Sequence, residues 1–384
     1  MLKRLYVDNY KCCTNFELRL GSLNLLLGGN GTGKTTVFEA LRAIRLFAGL
    51  GGKSEHCFAA STLTKWQTVR QQTFEIEVAG ADGDYFYRLI IAFDQNDLSS
   101  VQEESLRLND SALIRFESGN VKLAAADTHS ELSYPLEPVQ SALALVPQSK
   151  AYEKIAWFRQ FLNALIAVQI NPGYGVMDSR SEREDLFLNS NSSNFASWYR
   201  HISENQGMAI KISQQISEVL DGFEHFEFER LGETWRGLKV AFAAPTNGRR
   251  RIEYRFHELS DGQRALIVLY TLVIYASETG AILCIDEPEN FLALPEIQPW
   301  LIYLFDLCNQ QRQEQNGGQK QGNEKQLQAI LISHHPELIN YLAASNGIWF
   351  SRENHGQVRT KRIANEVAGG LPISELVARG WIHG

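Results

Sequence analysis

Two stretches of this chain pair residue types that do phosphate chemistry with a spacing that lets them do it. The first, from Leu23 to Thr36, is an apolar run that breaks into glycines and then into Lys-Thr; Gly28 to Thr35 fit G-x-x-x-x-G-K-[ST]. Glycines let successive backbone N–H groups turn onto one anion, and the helix that follows adds partial positive charge at its N-terminus. Gly28, Asn30, Gly31, Thr32, Gly33 and Thr36 are the expected phosphate cradle, Lys34 the charge on the β- and γ-phosphates, and Thr35 a hydroxyl ligand for Mg²⁺. The second stretch, Ala281 to Asn290, is an apolar run ending in Asp-Glu-Pro-Glu-Asn. A strand buried on both faces delivers Asp286 and Glu287 together at its carboxyl edge, where open α/β sheets bind ligands. Neighbouring side chains on a strand point apart, so Asp286 is expected to hold the metal shell and Glu287 to orient or deprotonate a water.

Elements must hold these groups in place. Leu23–Leu27 reads as a buried strand and Val37–Leu46 as the helix after the glycines, with short strands at Leu2–Val7 and Phe16–Leu20 before them. Thr73–Val78 and Tyr85–Phe93 flank Gly80-Ala81-Asp82-Gly83-Asp84 as a hairpin, and Ser105–Leu108 and Leu113–Phe116 extend it into an antiparallel sheet. From Tyr152 to Leu220 the spacing is helical, broken at Asn171-Pro172-Gly173. Strands return at Phe223–Arg230, Leu238–Phe242 and Arg251–Phe256, then a helix at Ala265–Tyr275, a helix at Glu296–Leu307, and a strand at Leu327–Ile332. Gln310–Gln326 is polar and low in complexity, a solvated loop. Gly347–Ser351 and Gln357–Ile363 read as a closing hairpin.

Composition narrows the class. The chain has 384 residues, 44% hydrophobic and 21% charged, enough for one large or two modest folded domains. The longest apolar run, Ala265–Ala276, is short for a bilayer core of about 30 Å. Lys3, Arg4, Asp8 and Lys11 interrupt any signal-like core, so a cytoplasmic protein without a membrane partner is expected. Five cysteines form no C-x-x-C pair, and buried free thiols are expected. A net charge of −7 argues against bulk attraction to nucleic acid, leaving Arg249-Arg250-Arg251 with Arg255 as a local basic patch or a solvated hairpin tip. His334 and His335 are adjacent on an extended stretch and point apart, which disfavours a shared metal.

Two further motifs complete an ordered set. Glu258-Leu259-Ser260-Asp261-Gly262-Gln263-Arg264 opens the helix after it, with Ser260 as N-cap and Gly262 leaving the first turn bare. Strand Leu327–Ile332 ends in Ser333-His334-His335-Pro336-Glu337. Leu-Ser-Asp-Gly-Gln is similar to the signature Leu-Ser-Gly-Gly-Gln of ABC-type ATPases, and the four motifs together resemble the RecF/SMC/OLD-like branch of that family and its stand-alone bacterial members. The resemblance covers roughly residues 1–50 and 255–350.

The resemblance implies a P-loop ABC-type head: an α/β fold with a mixed sheet, an antiparallel β-subdomain and an inserted helical lid. The expected parts are an N-terminal lobe over 1–145, the lid over 146–222 and a C-terminal lobe over 223–384. It implies ATP and Mg²⁺ as ligands, Glu287 and His334 as catalytic residues, and Ser260, Gly262 and Gln263 contacting ATP bound to a second subunit. The Mg²⁺-sensing glutamine is placed at Gln148, with Gln140 and Gln169 as alternatives. The implied function is Mg²⁺-dependent ATP hydrolysis coupled to head-to-head homodimerisation, serving DNA repair or phage defence with DNA and a separate nuclease or effector as partners. The alternative is an ATP-driven switch that binds a protein partner without nucleic acid. Asp261 departs from the signature glycine, with Arg264 near enough to offset its charge. Phe291 to Pro295 lack the histidine usual after the acidic strand. After His334 the carboxylates Glu337, Glu353, Glu366 and Glu375 are too scattered for a two-metal centre, so no intrinsic nuclease is expected.

Overall fold

A computed structural model describes residues 1–117, 119–124, 131–172, 179–244, 251–316, 327–363 and 372–379. The chain forms two compact units, Met1–Leu165 with Pro336–Gly384, and Ile166–His335.

The first unit opens with β1 (Leu2–Asp8), β2 (Phe16–Arg19), β3 (Leu23–Gly28) and α1 (Lys34–Ile44), whose last turn continues as a π turn at Arg45–Gly49. After the short α2 (Ser54–Cys57) come β4 (Gln71–Gly80), β5 (Gly83–Phe93), β6 (Ser99–Leu108), β7 (Ser111–Glu117), β8 (Asn120–Ala124) and β9 (Glu131–Pro135), then α3 (Glu153–Asn163). All but β3 join one antiparallel sheet in the order β2-β1-β4-β5-β6-β7-β8-β9. The predicted hairpin closes with Gly80 opposite Gly83, as the turn signature requires. The sheet is wider than the predicted span of Thr73 to Phe116, because β1 pairs with β4 and because β8 and β9 add a second hairpin. On β6 the fully buried Glu104 accepts hydrogen bonds from Tyr87 Oη at 2.9 Å, Ser141 Oγ at 2.7 Å and the Ala142 amide at 2.6 Å. Burial pushes its carboxyl above the ordinary value, and the three donors pull against that rise.

The second unit holds β10 (Ile166–Gln169), β11 (Arg180–Ser181), α4 (Phe195–Ile202), α5 (Gln206–Val219), β12 (Phe223–Arg230), β13 (Arg236–Phe242) and β14 (Ile252–Arg255). These are followed by α6 (Asp261–Thr279), β15 (Ile282–Asp286), α7 (Leu294–Asn316) and β16 (Gln328–Ile332). β10, β15 and β16 are parallel neighbours, buried through Ile282–Ile285 and Gln328–Ile332 as continuous apolar strands should be. β12 and β14 flank β13 in a separate antiparallel sheet. α6 is buried from Arg264 to Ile274 and stops at Gly280 in the left-handed conformation.

The chain then returns to the first unit through α8 (Pro336–Asn346), β17 (Gly347–Arg352), β18 (Val358–Arg362) and α9 (Ile373–Ala378). β17 lies parallel to β3 and pairs antiparallel with β18, which is the predicted closing hairpin.

The predicted boundaries differ from these units. The stretch 146–222, expected as one helical lid, is shared between them. Trp157 and Phe158 of α3 stack on Tyr85 of β5, whereas Phe195, Trp198 and Tyr199 of α4 pack on Phe256, Tyr275 and Phe226. Ile166–Gln169, read as part of the helical stretch, is a strand beside β15. The start of the predicted polar loop is the end of α7, and its remainder, 317–326, lies outside the described residues. Among the described residues no helix is long and apolar enough to cross a membrane.

Candidate functional site

In the first unit β3 is buried along its whole length and ends at Gly28, which pairs with Phe350 of β17. At φ 142 a Cβ on Gly28 would run into the Phe350 carbonyl oxygen, so glycine is required there. The chain turns outward through exposed Gly29, Asn30 and Gly31, and the Thr32 hydroxyl donates to the Gly29 oxygen at 2.8 Å. Gly33, left-handed at φ 97, begins α1; no side chain caps that N-terminus, and its first turn contains no acidic residue. The positive end of the helix is therefore offset neither by a capping side chain nor by an acid of its own first turn, which suits an anion. Lys34 is buried, and its ammonium donates to the oxygens of Gly28 at 2.7 Å and Gly29 at 2.9 Å, which holds the charge over the loop. Thr35 is exposed and Thr36 buried.

Three residues that the sequence did not single out border this loop. Cys12 Sγ lies 3.6 Å from the Thr36 hydroxyl. A hydrogen bond from Cys13 lowers the Cys12 thiol from 9.0 to about 6, helped by Thr36 and by the charge of Arg352, while the same bond and burial push Cys13 well up. Arg352, at the end of β17, donates to the Gly31 oxygen at 3.2 Å and lies 5.3 Å from the centre of the Trp66 ring. Lys11, just before Cys12, pairs with Glu39 of α1 at 2.6 Å.

In the second unit Asp286 ends β15, in register with Gln169 on one side and Ile332 on the other. Of the three candidate glutamines, Gln169 is the one placed beside the acidic strand. Gln148 is exposed and Gln140 half-buried, both in the first unit. Glu287 has φ 51; its amide donates to the Ile332 oxygen at 2.8 Å and its carboxylate accepts from Asn290 Nδ2, also at 2.8 Å. The strand end thus holds Glu287 in a left-handed turn that a non-glycine residue adopts only under constraint. Glu289 is a further carboxylate that sequence reasoning passed over, although the third acid of Asp-Glu-Pro-Glu was its signal. Its Oε1 accepts from Ser333 Oγ at 2.6 Å and from the His334 amide at 3.2 Å, which fixes the backbone that carries exposed His334.

Ser260 caps α6, accepting from the Gln263 amide at 3.2 Å, while the Gln263 side chain accepts from the Ser260 amide at 3.1 Å. Asp261 pairs with Arg264, so the departure from the signature glycine is compensated within one turn. Gly262 approaches Phe291 so closely that a Cβ would stand 3.0 Å from the Phe291 oxygen. Arg251 and Arg255 of the basic run pair with Glu224 at 2.7 Å and Glu229 at 2.9 Å; Arg249 and Arg250 lie outside the described residues. Neither of the two described arginines is left as an uncompensated patch. Glu366 is also outside the described residues.

Comparison with known proteins places this arrangement. The model of the family described as "AAA domain, putative AbiEii toxin, Type IV TA system" matches residues 23–340. An OLD nuclease of Thermus scotoductus is 51% identical over 49 residues, which is 13% of this chain and 9% of that protein, so the chain spans under a tenth of the relative it matches. The crystal structure of an SMC head bound to the C-terminal winged-helix domain of ScpA superposes with TM-score 0.54 at 12% identity, covering 94% of this chain and 98% of that one. The fold is accordingly that of an SMC head. An SMC head domain from Thermotoga maritima superposes with TM-score 0.43 at 14% identity, again over 94% and 98% of the two chains.

Proposed function

The chain belongs to the AAA-domain family whose model spans its residues 23–340, and from that premise we propose that it hydrolyses ATP and does so as a head-to-head dimer. The observation that carries the reading is the uncapped, acid-free N-terminus of α1 behind a glycine loop that holds Lys34 on its own carbonyls. A triphosphate tail is the anion that such a glycine loop and helix start accommodate. Lys34 takes the β- and γ-phosphates, and exposed His334, on backbone fixed by Glu289, contacts the γ-phosphate. Glu287 orients the attacking water and accepts its proton. Thr35, Asp286 and Gln169 offer hydroxyl, carboxylate and amide oxygens, a hard donor set that fits Mg²⁺. When bound, Mg²⁺ neutralises charge that develops on the transferred phosphoryl group. Ser260, Gly262 and Gln263 sit at the start of α6 and would meet the nucleotide of a second copy, which makes dimerisation depend on ATP.

Glu287→Gln tests the assignment. Loss of a general base costs about 10²–10⁴-fold in rate, so the variant should bind ATP as the wild type does, turn over at least 100-fold more slowly, and run as a dimer in sizing experiments when ATP is present. Undiminished hydrolysis would remove Glu287 from the role, and a monomer at saturating ATP would remove the dimer. We further infer a DNA-linked role in repair or defence beside a separate nuclease or effector, supported by the local likeness to an OLD nuclease.

A further inference from the structure

Arg352 carries a full positive charge at the rim of the phosphate loop, yet its hydrogen bonds go only to neutral oxygens: Gly31 at 3.2 Å, Gly356 at 2.8 Å and His355 at 2.6 Å. Among the described residues no carboxylate pairs with it. Its guanidinium also lies over the indole of Trp66 at 5.3 Å from the ring centre. Trp66 is 45% exposed, unusual for the largest apolar side chain when a cation already covers part of it. The ring does not hang on a loose loop. Asn9, itself buried, donates from Nδ2 to the oxygens of Val69 at 2.6 Å and Gln71 at 2.8 Å and accepts from the Thr64 amide at 3.1 Å, and the Gln67 amide closes a turn on Thr64 at 3.1 Å. Trp66 sits inside that pinned turn. One side chain, Arg352, therefore spans from the apex of the phosphate loop to an exposed aromatic surface carried on a hydrogen-bonded turn.

We propose that Trp66 is the platform on which the base of the bound nucleotide stacks, with Arg352 as the positioning residue that ties it to the phosphate loop. This rests on the phosphate loop binding a nucleoside triphosphate. The chemistry is that of base–aromatic stacking beside an arginine: the indole offers a π-face, and the cation adds attraction to both the ring and the phosphates. Stacking area selects purines over pyrimidines and by itself discriminates weakly between adenine and guanine.

Calorimetric titration of the full chain with the β,γ-imido analogues of ATP and CTP and with inorganic tripolyphosphate, each with Mg²⁺, separates base from phosphate. The wild type should bind the ATP analogue most tightly, then the CTP analogue, then tripolyphosphate. Trp66→Ala should weaken the ATP analogue roughly tenfold, the CTP analogue less, and leave tripolyphosphate within about twofold, as loss of one stacked base implies. Trp66→Phe should restore most of the affinity. Arg352→Ala should weaken all three, because it removes the charge as well as the support for the ring. Equal loss for all three ligands in Trp66→Ala, or no loss for the ATP analogue, overturns the platform. So does a wild type that binds tripolyphosphate as tightly as the ATP analogue, a result that leaves the phosphate loop intact. A wild type that binds none of the three overturns the ATP reading and the platform with it.

Discussion

Gly33→Ala tests whether the phosphate loop is held by packing as well as by glycine's freedom. Gly33 has φ 97 and ψ 8 at the start of α1; forcing a residue with a Cβ into the left-handed region costs roughly 1–2 kcal/mol. The new methyl would stand 2.9 Å from Cys12 Sγ and 3.1 Å from Val358 Cγ2, against a relaxed carbon contact of about 3.5–4.0 Å. Both neighbours are buried and cannot swing into water, so overpacking adds roughly 1–3 kcal/mol. The sum, about 2–5 kcal/mol, is a large share of a domain stability of about 5–15 kcal/mol. At about 2–4 °C per kcal/mol for a unit of this size, Tm should fall by roughly 4–20 °C. Cys12→Ala in the same molecule removes the nearer contact and leaves the backbone strain, so the double variant should recover about 1 kcal/mol relative to the sum of the single changes. Melting curves of the four proteins form the cycle, and titration with the ATP analogue follows the loop itself, since a displaced Gly33 misdirects the first N–H groups of α1. A Gly33→Ala chain that melts with the wild type refutes the reasoning. Strict additivity with Cys12→Ala refutes the sulfur contact alone.

Two other outcomes follow from charge. The Cys12 thiol sits at about 6 in the folded chain against 9.0 unperturbed, so its contribution to stability is complete above pH 9 and disappears as pH falls through 6; Cys12→Ser should remove a slope of at most about 1.4 kcal/mol per pH unit in that window. Cys13, pushed up, stays protonated there, and denaturation midpoints from pH 6 to 9 that are parallel in the two proteins would contradict the assignment. If the DNA-linked role holds, duplex DNA should bind more tightly with ATP than without, with an affinity that falls linearly in log salt; retention that is independent of both ATP and salt argues for the protein-partner switch.

The parts legible in the sequence are those governed by local rules. An all-apolar strand, positive-φ glycines and a Lys-Thr helix start announce the phosphate loop within 14 residues, and a capping box announces α6 before any fold is known. β8 and β9 were missed because their pattern is short and polar: in Asn120–Ala124 only Val121 and Leu123 are buried, too few for a period to show. Ile166–Gln169 was absorbed into a helical reading because four apolar-rich residues carry no period of their own; what makes them a strand is β15 alongside. That misreading left Gln169 as an alternative behind Gln148, because its place beside Asp286 is a fact of pairing and not of spacing. Asn9, Trp66 and Arg352 were invisible for the same reason, being 57, 286 and 343 residues apart in their pairwise separations.

Backbone strain adds what neither motif nor pairing shows. Glu287 at φ 51 and Phe291 at φ 71 are both side chains that resist the left-handed region, and they lie four residues apart on the loop that leaves the acidic strand. Phe291 is 45% exposed, so burial of its ring offsets only part of a strain cost of roughly 1–3 kcal/mol. Its carbonyl, however, is what Gly262 approaches, and a Cβ at Gly262 would stand 3.0 Å from it. The strained turn therefore fixes the carboxylate of Glu287 at one end and abuts the start of α6 at the other. A chain selected for stability alone would relax both residues to glycine or asparagine; on the proposed reading, keeping them strained ties the position of the Glu287 carboxylate to the start of α6, the two groups that hydrolysis and dimer closure would each require.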